Sequence, residues 1–219
     1  MRFFRTTKKH SEYWRNRVIN WEESYTSTWN HPHRALICEV LKTIPLWKSI
    51  FEIGCGAGAN LIKIFKTFED VELVPGLGKG PQVAGVDING DAIKEAKRLF
   101  TNANFKVRSG DDTRMSDSST DVVLTDRVLI YVSPRDIDRY IEEIKRIGRK
   151  WIVLCEFHET SWFKRIKLRF VSGYFAHDYV KLLQRHGFYD IILYRIPISL
   201  WPGDSYPSYI IKAKILSRK

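Results

Sequence analysis

The run Ser49-Ile50-Phe51-Glu52-Ile53-Gly54-Cys55-Gly56-Ala57-Gly58-Ala59-Asn60 constrains this chain more than any other. An apolar strand reaches an acidic residue, glycine then stands at every second position, and a helical pattern follows. Glycine has no Cβ, so it enters left-handed backbone conformations and lets another molecule approach closely. The helix behind it starts with unpaired N–H groups. A strand–glycine loop–helix unit of this kind cradles a nucleotide-like cofactor and belongs in an α/β sheet.

The alternation continues along the chain. Strands are predicted at 49–53, 82–87, 105–109, 121–125 and 151–155, with helices over 59–68, 90–100 and 134–148. Such alternation argues for a parallel sheet with helices on both faces. A further helix is predicted over 176–186, closed by Gly187 as a left-handed cap. Strands over 190–196 and 208–216 follow with no helix between them, so they should pair antiparallel. The linker between them, 197–207, contains three prolines. The Gly- and Pro-rich stretch 74–81 reads as a surface insertion. Ahead of this core, Tyr13, Trp14, Arg17, Val18, Trp21 and Tyr25 recur at helical spacings and predict one apolar helical face. Pro32 interrupts that pattern, and a second helix is predicted over 32–43.

Lys and Arg number 36 against 25 Asp and Glu, giving a formal charge of +11. Such a balance attracts RNA, anionic surfaces or phosphates, or simply keeps a lysine-rich surface in solution. A length of 219 residues suits one domain. It divides into a helical cap (1–48), a cofactor-binding core (49–155) and an acceptor-side segment with the hairpin (156–219). No apolar run approaches the roughly 20 residues that cross a bilayer. The basic N-terminus has no apolar segment behind it, so it does not read as a secretory signal. Cys38, Cys55 and Cys155 are odd in number and form no C-x-x-C pair. That argues against a disulfide framework or a zinc site and predicts a reducing, cytoplasmic setting.

The glycine loop admits two cofactor readings. Gly54-x-Gly56-x-x-Ala59 satisfies the loose dinucleotide fingerprint, which would make the chain an NAD(P)-dependent oxidoreductase. Against that reading, Glu52 would repel a pyrophosphate at the helix start and welcome a cation instead. Four motifs in order decide between them: Phe51–Gly58 as quoted, Val83-Ala84-Gly85-Val86-Asp87-Ile88-Asn89, Val107-Arg108-Ser109-Gly110-Asp111-Asp112, and Ser119-Thr120-Asp121-Val122-Val123-Leu124. Residues 49–132 thereby resemble the core of the class I S-adenosylmethionine-dependent methyltransferases. Thr120 departs from the aromatic that many members carry. The resemblance implies a Rossmann-like, doubly wound, mostly parallel seven-stranded sheet. It also implies S-adenosylmethionine as cofactor and S-adenosylhomocysteine as product.

The same resemblance implies site residues. Gly54, Gly56 and Gly58 would lie along the methionine and ribose, Asp87 would accept from the ribose hydroxyls, and Asp111 or Asp112 would stand at the adenine edge. Glu52 would orient the loop and the ammonium side. Cys55, Ile88, Asp126 and Arg127 are neighbours of the cofactor by position. Arg17 and Trp21 precede the core, where a guanidinium can clamp a carboxylate and an indole can face a sulfonium. These N-terminal aromatics either lid the site or simply pack the helix onto the sheet. Asp121 reads as a strand-start residue. His158, Tyr131 and Glu156 are the candidate bases, His158 first because imidazole titrates near neutrality. His177-Asp178 is a further acceptor-side candidate or simply a helix start, where Asp is favoured. The basic amphipathic stretch 162–170 covers the acceptor pocket, meets an anionic partner such as RNA or a membrane, or is a solvated helix face.

The leading expectation is methyl transfer to O or N of a small molecule, since no Asn/Asp-Pro-Pro-aromatic motif and no Pro-Cys nucleophile is present. The alternatives are an RNA or protein methyltransferase and a non-catalytic S-adenosylmethionine-binding module. Replacing Asp87 by Ala is expected to weaken S-adenosylhomocysteine binding about tenfold or more, as read by titration calorimetry. Unchanged affinity would remove Asp87 from the site.

Overall fold

The computed structural model describes residues 6–200, 206 and 208–216. Its frame is one sheet of β1 (Ser49–Ile53), β2 (Gln82–Asp87), β3 (Asn104–Val107), β4 (Thr120–Asp126), β5 (Gly148–Phe157), β6 (Phe188–Arg195) and β7 (Ser208–Ile215). The strand order is β3-β2-β1-β4-β5-β7-β6. The first five strands run parallel, with Phe51 opposite Ala84 on one side and Val123 on the other. β7 turns antiparallel between β5 and β6, placing Leu154 opposite Ile211. The expected mostly parallel sheet with an antiparallel hairpin is therefore present.

Apolar patterning explains the layers. Val122, Val123 and Leu124 are all fully buried, as strands covered on both faces must be. α3 (Pro32–Lys42), α4 (Ala59–Phe68) and α5 (Gly90–Leu99) pack on one face through Leu41, Leu61, Ile64 and Ile93. α6 (Ile137–Ile147) and α8 (Tyr179–Arg185) pack on the other through Ile141, Ile144, Tyr179 and Leu183. β1 lies where the strand order reverses, so a crevice opens at its C-terminal end.

The predicted single helical face over 13–25 is two helices, α1 (Thr7–Arg15) and α2 (Trp21–Thr28). Two asparagines separate them. The Asn16 side chain donates to the Glu12 carbonyl at the end of α1, and Asn20 accepts from the Glu23 N–H at the start of α2. Val18 falls in the break and is exposed. β3 ends two residues earlier than expected, and the Arg108 N–H, donating to the Asp87 carbonyl at 3.0 Å, still follows β2 before the chain turns away at Ser109. α8 begins three residues later than the predicted 176, because Asp178 caps it by accepting from the Lys181 N–H. Gly187 takes the left-handed conformation expected of it. In the proline linker Ile198–Leu200 forms a short 3-10 turn, while Pro202 and Pro207 lie outside the described residues.

Asn89 joins the helical cap to the sheet. Its side-chain oxygen caps α5 at the Ala92 N–H, 2.9 Å away, and its amide donates to the carbonyls of Trp14 and Arg17 at 2.8 and 2.9 Å. Asn89→Ala should lose roughly 2–3 kcal/mol in chemical denaturation. Cleavage by protease within the first 20 residues should become faster than in the parent.

Candidate active site

A cavity of about 340 Å3 lies over the C-terminal ends of β1, β2 and β4. α1 and α2 supply its outer wall through His10, Trp14, Trp21 and Tyr25. The strand-to-helix loop at its floor needs glycine for a steric reason. Gly54 has φ +74°, and a Cβ there would meet Val128 Cγ2 at 2.1 Å. Gly58, at φ +84°, forms the left-handed start of α4 and packs against Phe105 instead of facing the cavity. Asp87 closes the loop from the tip of β2. Its carboxylate accepts from the Gly56 N–H at 2.9 Å and from the Asn89 N–H at 2.8 Å. Each oxygen keeps a further lone pair for a ligand hydroxyl. Burial raises the Asp87 carboxyl, opposed by these backbone donors.

A buried polar cluster fills the end of the cavity beside β1 and β4. Asn60, in the first turn of α4, donates from Nδ2 to Glu52 at 2.6 Å and to Asp126 at 3.0 Å. Arg34 donates to Asn60 Oδ1 and lies 3.5 Å from Asp126. His33 Nε2 meets the same Asp126 oxygen at 3.0 Å. Burial alone would raise Asp126, but His33 beside it, then Arg127 and Arg34, hold its carboxyl well below the usual range. Burial lifts the Glu52 carboxyl to about 8, and neighbouring Asp126 adds to the rise that Asn60 opposes. Glu52 Oε2 and Asp126 Oδ1 are buried and have no hydrogen-bond partner among the described residues. Two acid oxygens without a hydrogen-bond partner in one cavity suit a ligand that brings N–H donors, and a cationic ligand would favour the ionised form of Glu52. These acceptors fit the ammonium of S-adenosylmethionine.

Most of the predicted cofactor residues meet at this cavity: Glu52, Gly54, Cys55, Gly56, Asp87, Ile88, Asp126, Arg127 and Trp21 all line it. Arg127 holds φ +55°, fastened by its N–H to the Cys155 carbonyl at 3.0 Å. Asp111 and Asp112 do not reach the wall, which is Ser109 and Gly110 at that point. Asp111 pairs with Arg139 at 2.5 Å and Asp112 with Arg114 at 2.9 Å. Arg17 also stands outside. It donates to the Tyr13 hydroxyl at 2.7 Å and stacks over the Trp14 ring. Asp121 sits at the opposite end of the sheet, accepting from the Lys48 and Ser49 N–H groups, as a strand-start residue would.

Two of the three candidate bases are corrected by their surroundings. His158 is buried away from the cavity, where its Nδ1 accepts from the Tyr179 N–H at 3.2 Å. It bridges β5 to His177, and burial lowers its pKa. Glu156 is fully buried and fastens the turn after β4. It accepts from the Thr125 hydroxyl at 2.8 Å and from the N–H groups of Val128, Leu129 and Ile130. Burial pushes its carboxyl up to about 7 against those donors. Tyr131 does line the cavity, in edge contact with Trp14 and Tyr174. Burial raises its phenol well above the ordinary value, so it keeps its proton at neutral pH.

Sequence reasoning missed His33, Arg34, Asn60 and His10. A signal existed for the first two. His33 and Arg34 fall on the same helical face as Ile37, Cys38 and Leu41, and a polar pair on a buried stripe marks a buried polar site. His10, whose Nε2 lies 3.2 Å from the Gly173 carbonyl, carried no such signal.

The raised Glu52 carboxyl sets a pH dependence. An unfolded glutamate titrates near about 4.3. Between there and about 8 the folded chain holds a proton that the unfolded chain has lost. The resulting stability is complete below the unfolded value and disappears as pH rises through 8. Glu52→Gln should therefore be more stable than the parent at pH 8.5 by at least about 1 kcal/mol, and nearly equal at pH 4.5, in urea titrations. A constant difference at both pH values would contradict the assignment.

A family model described as a methyltransferase domain matches residues 48–170. No curated protein sequence matches the chain. Among solved structures, geranyl diphosphate methyltransferase in complex with GPP and sinefungin aligns with a TM-score of 0.67 at 13% identity. That alignment covers 96% of this chain and 98% of the other. Magnesium protoporphyrin IX methyltransferase from Synechocystis PCC 6803, with bound SAH, aligns at 0.66 and 15%, covering 94% and 98%. A methyltransferase from Methanosarcina mazei aligns at 0.63 and 21%, covering 82% and 97%. These identities speak for a shared fold, and the family match sets the dinucleotide alternative aside. The matched domain and the strand order together place this chain in the class I S-adenosylmethionine-dependent methyltransferases, whose cofactor is S-adenosylmethionine.

Proposed function

We propose that the chain moves a methyl group to an oxygen or nitrogen of a small molecule. The observation that carries this reading is the closure of the cavity: α1 and α2 wall in about 340 Å3 above the strand ends. A recessed site of this kind suits a small-molecule acceptor beside the cofactor better than a polymer chain. Two of the similar structures are named for small acceptors, magnesium protoporphyrin IX and geranyl diphosphate.

S-adenosylmethionine, when bound, supplies a methyl carbon activated by the adjacent sulfonium. Asp87 would hold the ribose through its spare lone pairs, and Ser109 and Gly110 would face the adenine. Glu52 and Asp126 would accept from the ammonium. Tyr131, Trp14 and Tyr174 form the aromatic end of the cavity, which we assign to the acceptor. With its proton retained, Tyr131 orients the acceptor by donating a hydrogen bond and does not serve as a base. The Trp14 indole N–H has no acceptor among the described residues and offers a second donor. Alignment and exclusion of water then carry the transfer to an acceptor that arrives with a free lone pair, a carboxylate, a phenolate or a neutral amine. Three buried free thiols favour a reducing compartment for it.

The test is a methylation assay of the full chain with labelled S-adenosylmethionine against a metabolite panel, with RNA and protein run beside it. Turnover of a metabolite is expected. Tyr131→Phe should lower kcat/KM roughly tenfold with S-adenosylhomocysteine affinity unchanged. Activity confined to RNA or protein would overturn the acceptor class. Absence of S-adenosylhomocysteine binding would overturn the cofactor roles.

A further inference from the structure

α7 (Trp162–Ser172) is amphipathic in an inverted sense. Of its residues only Leu168 is buried. At roughly 100° per residue, Trp162, Ile166, Phe170 and Phe163 fall within one arc of about 100°. All four face water, from 39% exposed at Ile166 to 68% at Phe163. Trp162 and Phe163 pack ring against ring at 4.0 Å between centroids. A surface helix ordinarily turns such a face inward and its charges outward. Here the apolar arc is outward, with Lys167 on one flank and Arg169 on the other. Lys164 and Arg165 complete four cations, and the helix contains no acid.

We propose that this face of α7 docks the protein on an anionic lipid surface. Helices that lie in the headgroup plane combine an aromatic and aliphatic face with basic flanks, in which apolar burial and attraction to anionic lipid add together. The +11 formal charge of the chain acts in the same direction. RNA fits less well, because exposed Ile166 offers neither stacking nor a phosphate contact. A symmetric dimer through this face would bring the two cationic flanks together.

The placement has a consequence for the cavity. α7 ends at Gly173, whose carbonyl meets His10 at 3.2 Å, and the next residue, Tyr174, lines the acceptor end. Docking would bring that end of the cavity beside the lipid surface, a position suited to an amphiphilic acceptor. This last point rests on the proposed function, whereas docking itself does not.

The experiment is co-sedimentation of the full chain with vesicles of mixed phosphatidylglycerol and phosphatidylcholine, and with pure phosphatidylcholine. Binding is expected for the anionic vesicles and should weaken as salt is added. Phe163→Ser with Ile166→Ser should cut partitioning about tenfold or more, and Lys164→Glu with Lys167→Glu should abolish the preference for anionic lipid. All four positions are exposed, so the helix should survive, as circular dichroism and S-adenosylhomocysteine affinity would check. Failure to sediment with anionic vesicles at low salt would overturn the proposal. So would vesicle binding that neither double variant changes, or an RNA gel shift in place of vesicle binding. Dimers that the Phe163→Ser, Ile166→Ser variant dissolves, without vesicle binding, would assign the face to a second copy of this chain.

Discussion

Glu52 and Asp126 stand at the carboxyl ends of neighbouring strands, and the fold must keep two acids together away from water. Both could not be ionised there without opposite charge, because burial and mutual repulsion act in the same direction. The chain meets the difficulty asymmetrically. Asp126 receives His33 and Arg34 from the first turn of α3 and stays charged. Glu52 receives the neutral Asn60 amide, with Arg34 further off, and burial lifts it to about 8. α3 accordingly begins polar and becomes apolar within a turn, delivering His33 and Arg34 to the site before Ile37 and Leu41 enter the core. One oxygen of each acid has no hydrogen-bond partner among the described residues, and the proposed ammonium contact falls there.

Two clamps hold the walls around that cluster. Glu156 gathers three successive backbone N–H groups of the turn after β4, and Val128 in that turn closes on the bare Cα of Gly54. Rigidity thus passes from a buried acid on β5, through Val128, to the cofactor loop on β1. Asn89 does the same for the other wall by tying α1 to the residues that follow Asp87. Glu156 and His158, which look reactive in sequence, are spent on structure, and the cavity keeps aromatic rings beside the acids Glu52, Asp87 and Asp126. Under the proposed function, such a site would act by placing reactants and excluding water.

The strand pattern was legible because central parallel strands must be apolar on both faces, and Val122-Val123-Leu124 reads that way without any partner in view. The glycine loop and Asp87 were legible because glycine at alternate positions has few other uses. The misreadings share a cause. Glu156 looks like the loop residue after a strand that stops at Cys155, but β5 continues to Phe157 and takes the acid inside. Asp111 sits in the right motif, yet the chain leaves β3 early, and its carboxylate finds Arg139 of α6. The aromatics over 13–25 have helical spacing on paper, but Asn16 and Asn20 cap two helices within the span.

By itself, the sequence determined the order of strands and helices, the antiparallel ending of the sheet and the kind of cofactor that the first loop accepts. Those properties depend on local periodicity, on glycine and on short motifs, all of which a linear chain displays. Only the tertiary structure decided which polar side chains face the cavity and which are consumed as clamps. Their partners are remote: Asp126 meets His33 across 93 positions, Asn89 meets Trp14 across 75, and Glu156 meets Val128 across 28. A carboxylate is a ligand, a clamp or a surface charge according to what the fold brings within about 3 Å of it, and that distance is not written along the chain.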